Sequence, residues 1–165
     1  MKITHAVDIE RQPGLVFSWL DDPARARAWM SSVSRTEILH RTPDLVGTTF
    51  RETVADDSGS TELQGVVTAC RPNQEIAFHL DGQFNEVDVD YQLEEVRNRT
   101  HLTMHAEVRF KGVLKVLSLL MWPLLKRKVV RQFRRECAEL KRLCESGAEL
   151  ACPQPSRAAA PRDAP

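Results

Sequence analysis

Apolar residues alternate with polar ones through much of the first 110 positions, the period-two signature of strands with one buried face. Ile3, His5, Val7 and Ile9 carry it first. It returns at Val33–Arg41, Thr48–Ala55, Leu63–Cys70, Glu75–Leu80 and Phe84–Val96. A last run alternates Leu102, Met104, Ala106, Val108 and Phe110 with Thr103, His105, Glu107 and Arg109. Turn-forming residues separate these runs: Asp56 to Ser60, Arg71-Pro72-Asn73, the hairpin signal Asp81-Gly82, and Arg97-Asn98. A two-residue turn at Arg97-Asn98 sets Asp90 opposite His105 and Tyr91 opposite Met104, so the apolar sets of both strands share one face.

Two short helices interrupt the pattern early. Pro13 opens one that runs through Leu15, Val16, Phe17, Trp19 and Leu20; its missing N–H costs nothing in a first turn. Asp22 as N-cap with Pro23 at the first helical position opens a second, reaching Trp29-Met30. From Val113 to Glu145 the period changes to that of a long helix. Val130, Phe133, Cys137, Leu140 and Cys144 form one apolar stripe. Upstream, Val113 to Leu125 is apolar almost all round, and Pro123 predicts a kink or break near Leu119–Trp122. Gly147 is placed to stop the helix.

Strands with one wet face form an antiparallel sheet covered on one side. The long helix is the only element large enough to cover it. The expected class is therefore α+β, a curved antiparallel sheet wrapped around a long C-terminal helix. The domain spans 1–146. Gly147 to Pro165, rich in proline and alanine with little to bury, reads as a disordered tail in which Cys152 is exposed.

Composition narrows the classes. The 165 residues suit one domain at about 100–200 residues each. Lys+Arg and Asp+Glu are both 23, for zero net charge, which speaks against a nucleic-acid binder. No apolar run reaches the ~18 residues of a membrane span, and the N-terminus has no signal-peptide apolar stretch. The four cysteines, at 70, 137, 144 and 152, form no Cys-x-x-Cys pair. That points to a reduced, cytoplasmic protein without a zinc site. Cys137 and Cys144, two helical turns apart, are core residues rather than a disulfide.

Several residues carry a family likeness. They are Pro13-x-x-Val16-Phe17, Asp22-Pro23 with Trp29, Val46-Gly47-Thr48, Pro72, Tyr91-x-Leu93, and Thr100-x-Leu102-Thr103. In these and in its element order the chain resembles the START-like superfamily, specifically the SRPBCC group of polyketide cyclase/dehydrase-like and CoxG-like proteins. The resemblance covers about residues 1–146 and implies a helix-grip fold with an apolar pocket between sheet and helix, usually ~300–1,000 Å³. It does not fix the activity. By position the pocket is lined by Trp29 at its mouth and by Phe50, Glu52, Phe78, Tyr91, Leu93, Met104, Leu117, Leu120, Met121 and Leu124. The same residues also suit a filled core.

Glu52 lies between Phe50 and Val54 with strand alternation, so its carboxyl points among apolar side chains unless Arg51 or Arg71 pairs with it at a rim. A carboxyl buried there titrates high and suits general acid–base work. Tyr91, the only tyrosine, is placed to orient a carbonyl, with Gln64 a third polar candidate. Glu52 and Tyr91 are thus the two catalytic candidates, though none is assigned. His101 and His105 lie about 13 Å apart on a strand and cannot share a metal; no metal site, nucleophile motif or phosphate loop is read, and no cofactor is implied.

Neutrality conceals an asymmetry. Residues 111–135 hold eight Lys or Arg and no acid, whereas 37–95 hold thirteen acids against three arginines. Lys126, Arg127, Lys128 and Arg131 follow an apolar half-helix, a pattern that suits an anionic membrane surface as well as a solvated face or self-association with an acidic neighbour. The expected function is binding of a hydrophobic small molecule (lipid, polyketide-like or aromatic). The alternatives are a cyclase/dehydratase-like enzyme on such a ligand, and a peripheral membrane or accessory module acting through the basic helix at the inner face of the membrane. The expected state is a monomer or weak homodimer.

Overall fold

The computed structural model describes residues 1–56, 59–112 and 122–147. Seven strands form one antiparallel sheet: β1 (Lys2–Ile9), β2 (Val33–His40), β3 (Thr49–Asp56), β4 (Gly59–Arg71), β5 (Glu75–Gly82), β6 (Asn85–Val96) and β7 (Arg99–Phe110). Their spatial order is β1-β7-β6-β5-β4-β3-β2. Consecutive strands are thus neighbours throughout β2–β7, and β1 closes the edge against β7. Helix α1 (Pro13–Phe17) and a 3-10 helix (Pro23–Ala28) connect β1 to β2, and helix α2 (Trp122–Glu145) follows the sheet.

The last hairpin matches its expected register. Asp90 pairs with His105 and Tyr91 with Met104. Arg97 and Asn98 both take left-handed backbone, with φ of 52° and 67°, which matches the right-handed twist of the flanking strands. The β5–β6 turn differs from expectation. Asp81 and Gly82 belong to β5, and the tip is Gln83-Phe84. Gly82 is needed for a different reason: it pairs with Leu63 on β4, and a Cβ there would stand 2.4 Å from Leu63 Cδ2. Gly65 serves Phe50 in the same way. Phe50 of β3 lies over its partner Gly65, where a Cβ would meet the ring at 2.3 Å.

The dry face is built from cross-strand rows. Val67, Phe78, Val89 and Ala106 form one, and Ile76, Tyr91 and Met104 another. α1 stops at Phe17 rather than Leu20, with turns carrying the chain on, and the Asp22-Pro23 restart gives a 3-10 helix. Both still bury Val16, Phe17, Trp19, Leu20 and Trp29 into the core.

In α2, Cys137, Leu140 and Cys144 are buried, and Phe133 packs against the same core. Pro123 is the second residue of α2, and the kink expected near Leu119–Trp122 falls almost wholly outside the described residues. The upstream segment 113–121, including Leu117, Leu120 and Met121, lies outside the described residues. So does the expected tail beyond Gly147. Gly147, with φ of 66°, ends the helix in left-handed backbone. The helix's C-terminal end is tied to the β1–α1 connection. Glu145 Oε1 accepts from the Glu10 N–H at 2.9 Å, Arg11 donates to the Glu145 carbonyl at 2.6 Å, and Lys141 donates to the Asp8 carbonyl at 2.6 Å.

The wet face is laced with exposed pairs. Arg109 meets Asp88 at 2.6 Å, His79 meets Asp88 at 2.6 Å, and Lys111 reaches Asp81. Such pairs contribute little to stability, but they neutralise part of the acidity of the sheet.

The fit of Phe50 over Gly65 is testable. Gly65→Ala should destabilise the fold by about 1–3 kcal/mol through overpacking, read as a lower urea midpoint at constant slope. An unchanged midpoint would show that the Phe50 ring has room to move.

Candidate functional site

A cavity of about 50 Å³ lies between the concave face and the cover made by residues 19–30. Its sheet wall comprises Phe50 and Glu52 of β3, Phe78 and Leu80 of β5, and Val89 and Tyr91 of β6. Its cover comprises Trp19, Leu20, Asp22, Pro23, Ala26, Trp29 and Met30. At ~10–15 Å³ per water on this measure, the space has room for a few waters and is far smaller than a typical ligand pocket.

The aromatic side chains form a continuous band. Trp29 meets Tyr91 edge-to-face at 6.1 Å, Tyr91 meets Phe78 at 6.2 Å, and Phe78 meets Phe50 at 5.9 Å. Such geometry follows from the ring quadrupole, positive edge toward negative face. Strand alternation puts Phe78 and Tyr91 on neighbouring strands with the same facing.

Glu52 is the acid of the sheet wall. It is 7 % exposed, and no described residue forms a hydrogen bond or ion pair with its carboxyl. Arg51, a rim partner suggested by the sequence, pairs instead with Glu37 at 3.9 Å, and Arg71 pairs with Glu75 at 2.5 Å. Burial pushes the Glu52 carboxyl up from 4.5 to about 7, and the Glu136 carboxyl of α2 adds to the rise. Burial likewise raises Glu136, although Gln132 and Ser32 each hydrogen-bond it at 3.1 Å. Tyr91 is raised well above 10 by burial, so it stays a neutral phenol. Trp29 Nε1 is buried without a partner among the described residues.

Of the residues expected from the sequence, Trp29, Phe50, Glu52, Phe78 and Tyr91 come together at this cavity. Leu93 and Met104 are buried in the adjoining core and are not part of its lining. Leu117, Leu120 and Met121 lie outside the described residues, as does the side chain of Leu124. Gln64 is exposed: strand alternation turns Leu63 and Gly65 inward and Gln64 out. Glu136 escapes sequence reasoning, because a Glu in a helix full of cations reads as a surface residue. Its signal is its place directly before Cys137 of the buried stripe. Trp19, Leu20, Asp22, Ala26 and Met30 read in the sequence as helix residues, not as lining; their clustering around Trp29 is the available clue.

His79, His101 and His105 sit on the wet face. His101 pairs with Asp8 at 2.6 Å, and His105 bonds Thr4 at 3.1 Å rather than Asp90. No three His, Cys, Asp or Glu among the described residues converge as a metal site. Lys126, Arg127 and Arg131, with Arg134 and Arg135, line an open concavity along α2, and Lys128 is exposed beside them. No described helix is long and apolar enough to cross a membrane.

A fold of this kind, with an apolar cavity between sheet and cover, defines a helix-grip protein. The chain belongs to the family described as polyketide cyclase / dehydrase and lipid transport, whose model matches residues 1–145. It is similar in structure to the Zhui aromatase/cyclase from Streptomyces sp. R1128, with 14 % identity, a TM-score of 0.75, and coverage of 92 % of this chain and 98 % of that one. A protein of Thermus thermophilus superposes with a TM-score of 0.76 at 11 % identity, covering 90 % and 99 %. A START superfamily protein from Mycobacterium smegmatis gives 0.59 at 18 % identity, covering 83 % and 98 %. At such identities the likeness is one of fold. No curated protein sequence matches the chain.

The raised Glu52 carboxyl makes stability depend on pH. Its proton is held more tightly in the folded state, so its favourable contribution is complete below about pH 4.5 and is lost as pH rises through about 7. Glu136 acts in the same direction. At about 1.4 kcal/mol per pH unit, Glu52 accounts for about 3 kcal/mol across that interval. Glu52→Gln should therefore flatten the decline in unfolding free energy between about pH 5 and 8, measured by urea titration at each pH. A slope equal to that of the unaltered protein would show that Glu52 titrates normally.

Proposed function

We propose that the chain binds a hydrophobic small molecule between its sheet and the elements that cover it. The observation that carries this reading is the aromatic band Trp29–Tyr91–Phe78–Phe50 facing an apolar cavity with one carboxyl set into its sheet wall. Family membership supports it at the level of class. The driving force is burial, about 0.8 kcal/mol for each CH₂ removed from water. The cavity is small, so a lipid-sized ligand requires the cover of residues 19–30 to move outward. At its edge the cover meets the residue after β2 through the Arg41–Asp22 pair at 3.1 Å, a contact that such a movement would break.

A second reading, cyclase/dehydratase-like catalysis on the same ligand, is favoured by one observation. Glu52 titrates near neutrality, where a carboxyl serves both as base and as acid. Tyr91, a neutral phenol that lines the same cavity from β6, would orient a substrate carbonyl. No bond-making step is assigned.

Protein purified without detergent should carry a hydrophobic ligand visible by native mass spectrometry, and a panel of such compounds should raise its melting temperature. Empty protein that no member of the panel stabilises would remove the binding reading. The enzyme reading predicts that Glu52→Gln binds a polyketide-like substrate but turns it over at least about 100-fold more slowly. Equal turnover would take Glu52 out of the chemistry.

A further inference from the structure

The cavity wall has an electrostatic sign. Two carboxyl side chains line it, Glu52 and Asp22. Asp22 is held by Arg41 at 3.1 Å at the edge of the cover. Glu52, more than nine-tenths buried, meets no donor among the described residues. No described Lys, Arg or His lines the space. A carboxylate or phosphate ligand would bring negative charge to an acid with nothing to balance it. A plain hydrocarbon would leave the acid buried and unpaired, which is costly.

The remaining wall is rich in aromatic rings: Trp19, Trp29, Phe50, Phe78 and Tyr91. Ring faces attract cations, tryptophan most strongly, and the attraction grows when the cation is desolvated. A carboxylate set among aromatic rings thus presents both components that recognise an organic cation. We propose that the ligand of this cavity is an apolar molecule bearing a protonated amine, whose ammonium pairs with Glu52 while its carbon skeleton packs on the aromatic band. This head-group assignment rests on the hydrophobic-ligand reading. A hydroxyl head group is the competing chemistry: it would accept from Trp29 Nε1 and meet Glu52 in its protonated form.

Pairing with an ammonium requires ionised Glu52. Amine affinity should therefore rise from about pH 6 to 8, and alcohol affinity should not. The titratable groups around Glu52 are Glu136 of α2, whose charge opposes its ionisation, and, across the cavity, Asp22 of the cover, which pairs with Arg41, and the neutral Tyr91 of β6. Burial and the Glu136 charge oppose its ionisation, and the ammonium offsets them.

The test uses hexylamine, hexanol and hexanoate, which share one chain and differ in head group, titrated into the full-length protein at about pH 8 by calorimetry. The expected order is amine first by about tenfold over alcohol, with hexanoate weakest. Glu52→Gln should remove the amine's advantage while leaving hexanol within about threefold, and retained hexanol binding also shows that the variant is folded. Hexanol binding as tightly as hexylamine, or an amine advantage that survives Glu52→Gln, overturns the head-group assignment and leaves the hydrophobic-ligand reading standing. Failure of all three to bind overturns both.

Discussion

A single sheet with one dry face has to be roofed, and every other feature of this protein follows from how that is done. The strands from β2 to β7 pair with their sequence neighbours, so most of the sheet is local in sequence. The roof is not. It is made of the segment between β1 and β2 and of α2 from the far end of the chain. The anchoring contacts therefore span most of the domain: Glu145 to Glu10 and Arg11, and Lys141 to Asp8. These join α2 to the same connection that carries α1 and the 3-10 helix, so the two parts of the roof are held at one seam.

A roof of one long helix and two short ones does not fill the concave face as a second sheet would. The shortfall is met by ring size. Phe50 occupies the space that Gly65 leaves, and the edge-to-face chain from Phe50 to Trp29 crosses the face from the sheet to the cover. What is left unfilled is the small cavity. Placing Glu52 there is costly, and no local packing advantage offsets it: Phe50 and Val54 on either side would pack as well against a leucine. A buried acid without a partner among the described residues is where stability has been given up, which is the ordinary mark of a site.

The strands are legible in the sequence because alternation is a direct consequence of the two-sided pleat, and the facing of Glu52 follows from the same alternation. The Arg97-Asn98 register is legible for a further reason: lengthening or shortening the turn by one residue would turn Met104 away from the face that Leu93 and Tyr91 share. Gly82 misleads because glycine has two uses, left-handed turns and close approach, and a sequence does not show which side chain lies above it. Glu136 is hidden for a related reason. Its burial comes from where α2 lands against Ser32, a contact across 104 positions that no window along the chain contains. The cavity's lining by residues 19–30 is equally a product of the roof's placement.

Glu136 connects the roof to the site. Its hydrogen bond from Ser32 holds α2 beside the start of β2, Gln132 one helical turn back steadies the same carboxyl, and that carboxyl raises the titration of Glu52 on the adjoining strand. Two acids on opposite sides of the sheet–helix seam repel when both ionise. Ionising Glu52 therefore works against the seating of the helix, and whatever neutralises Glu52 restores it. The protonation of one buried side chain is in this way coupled to the closure of the fold around it.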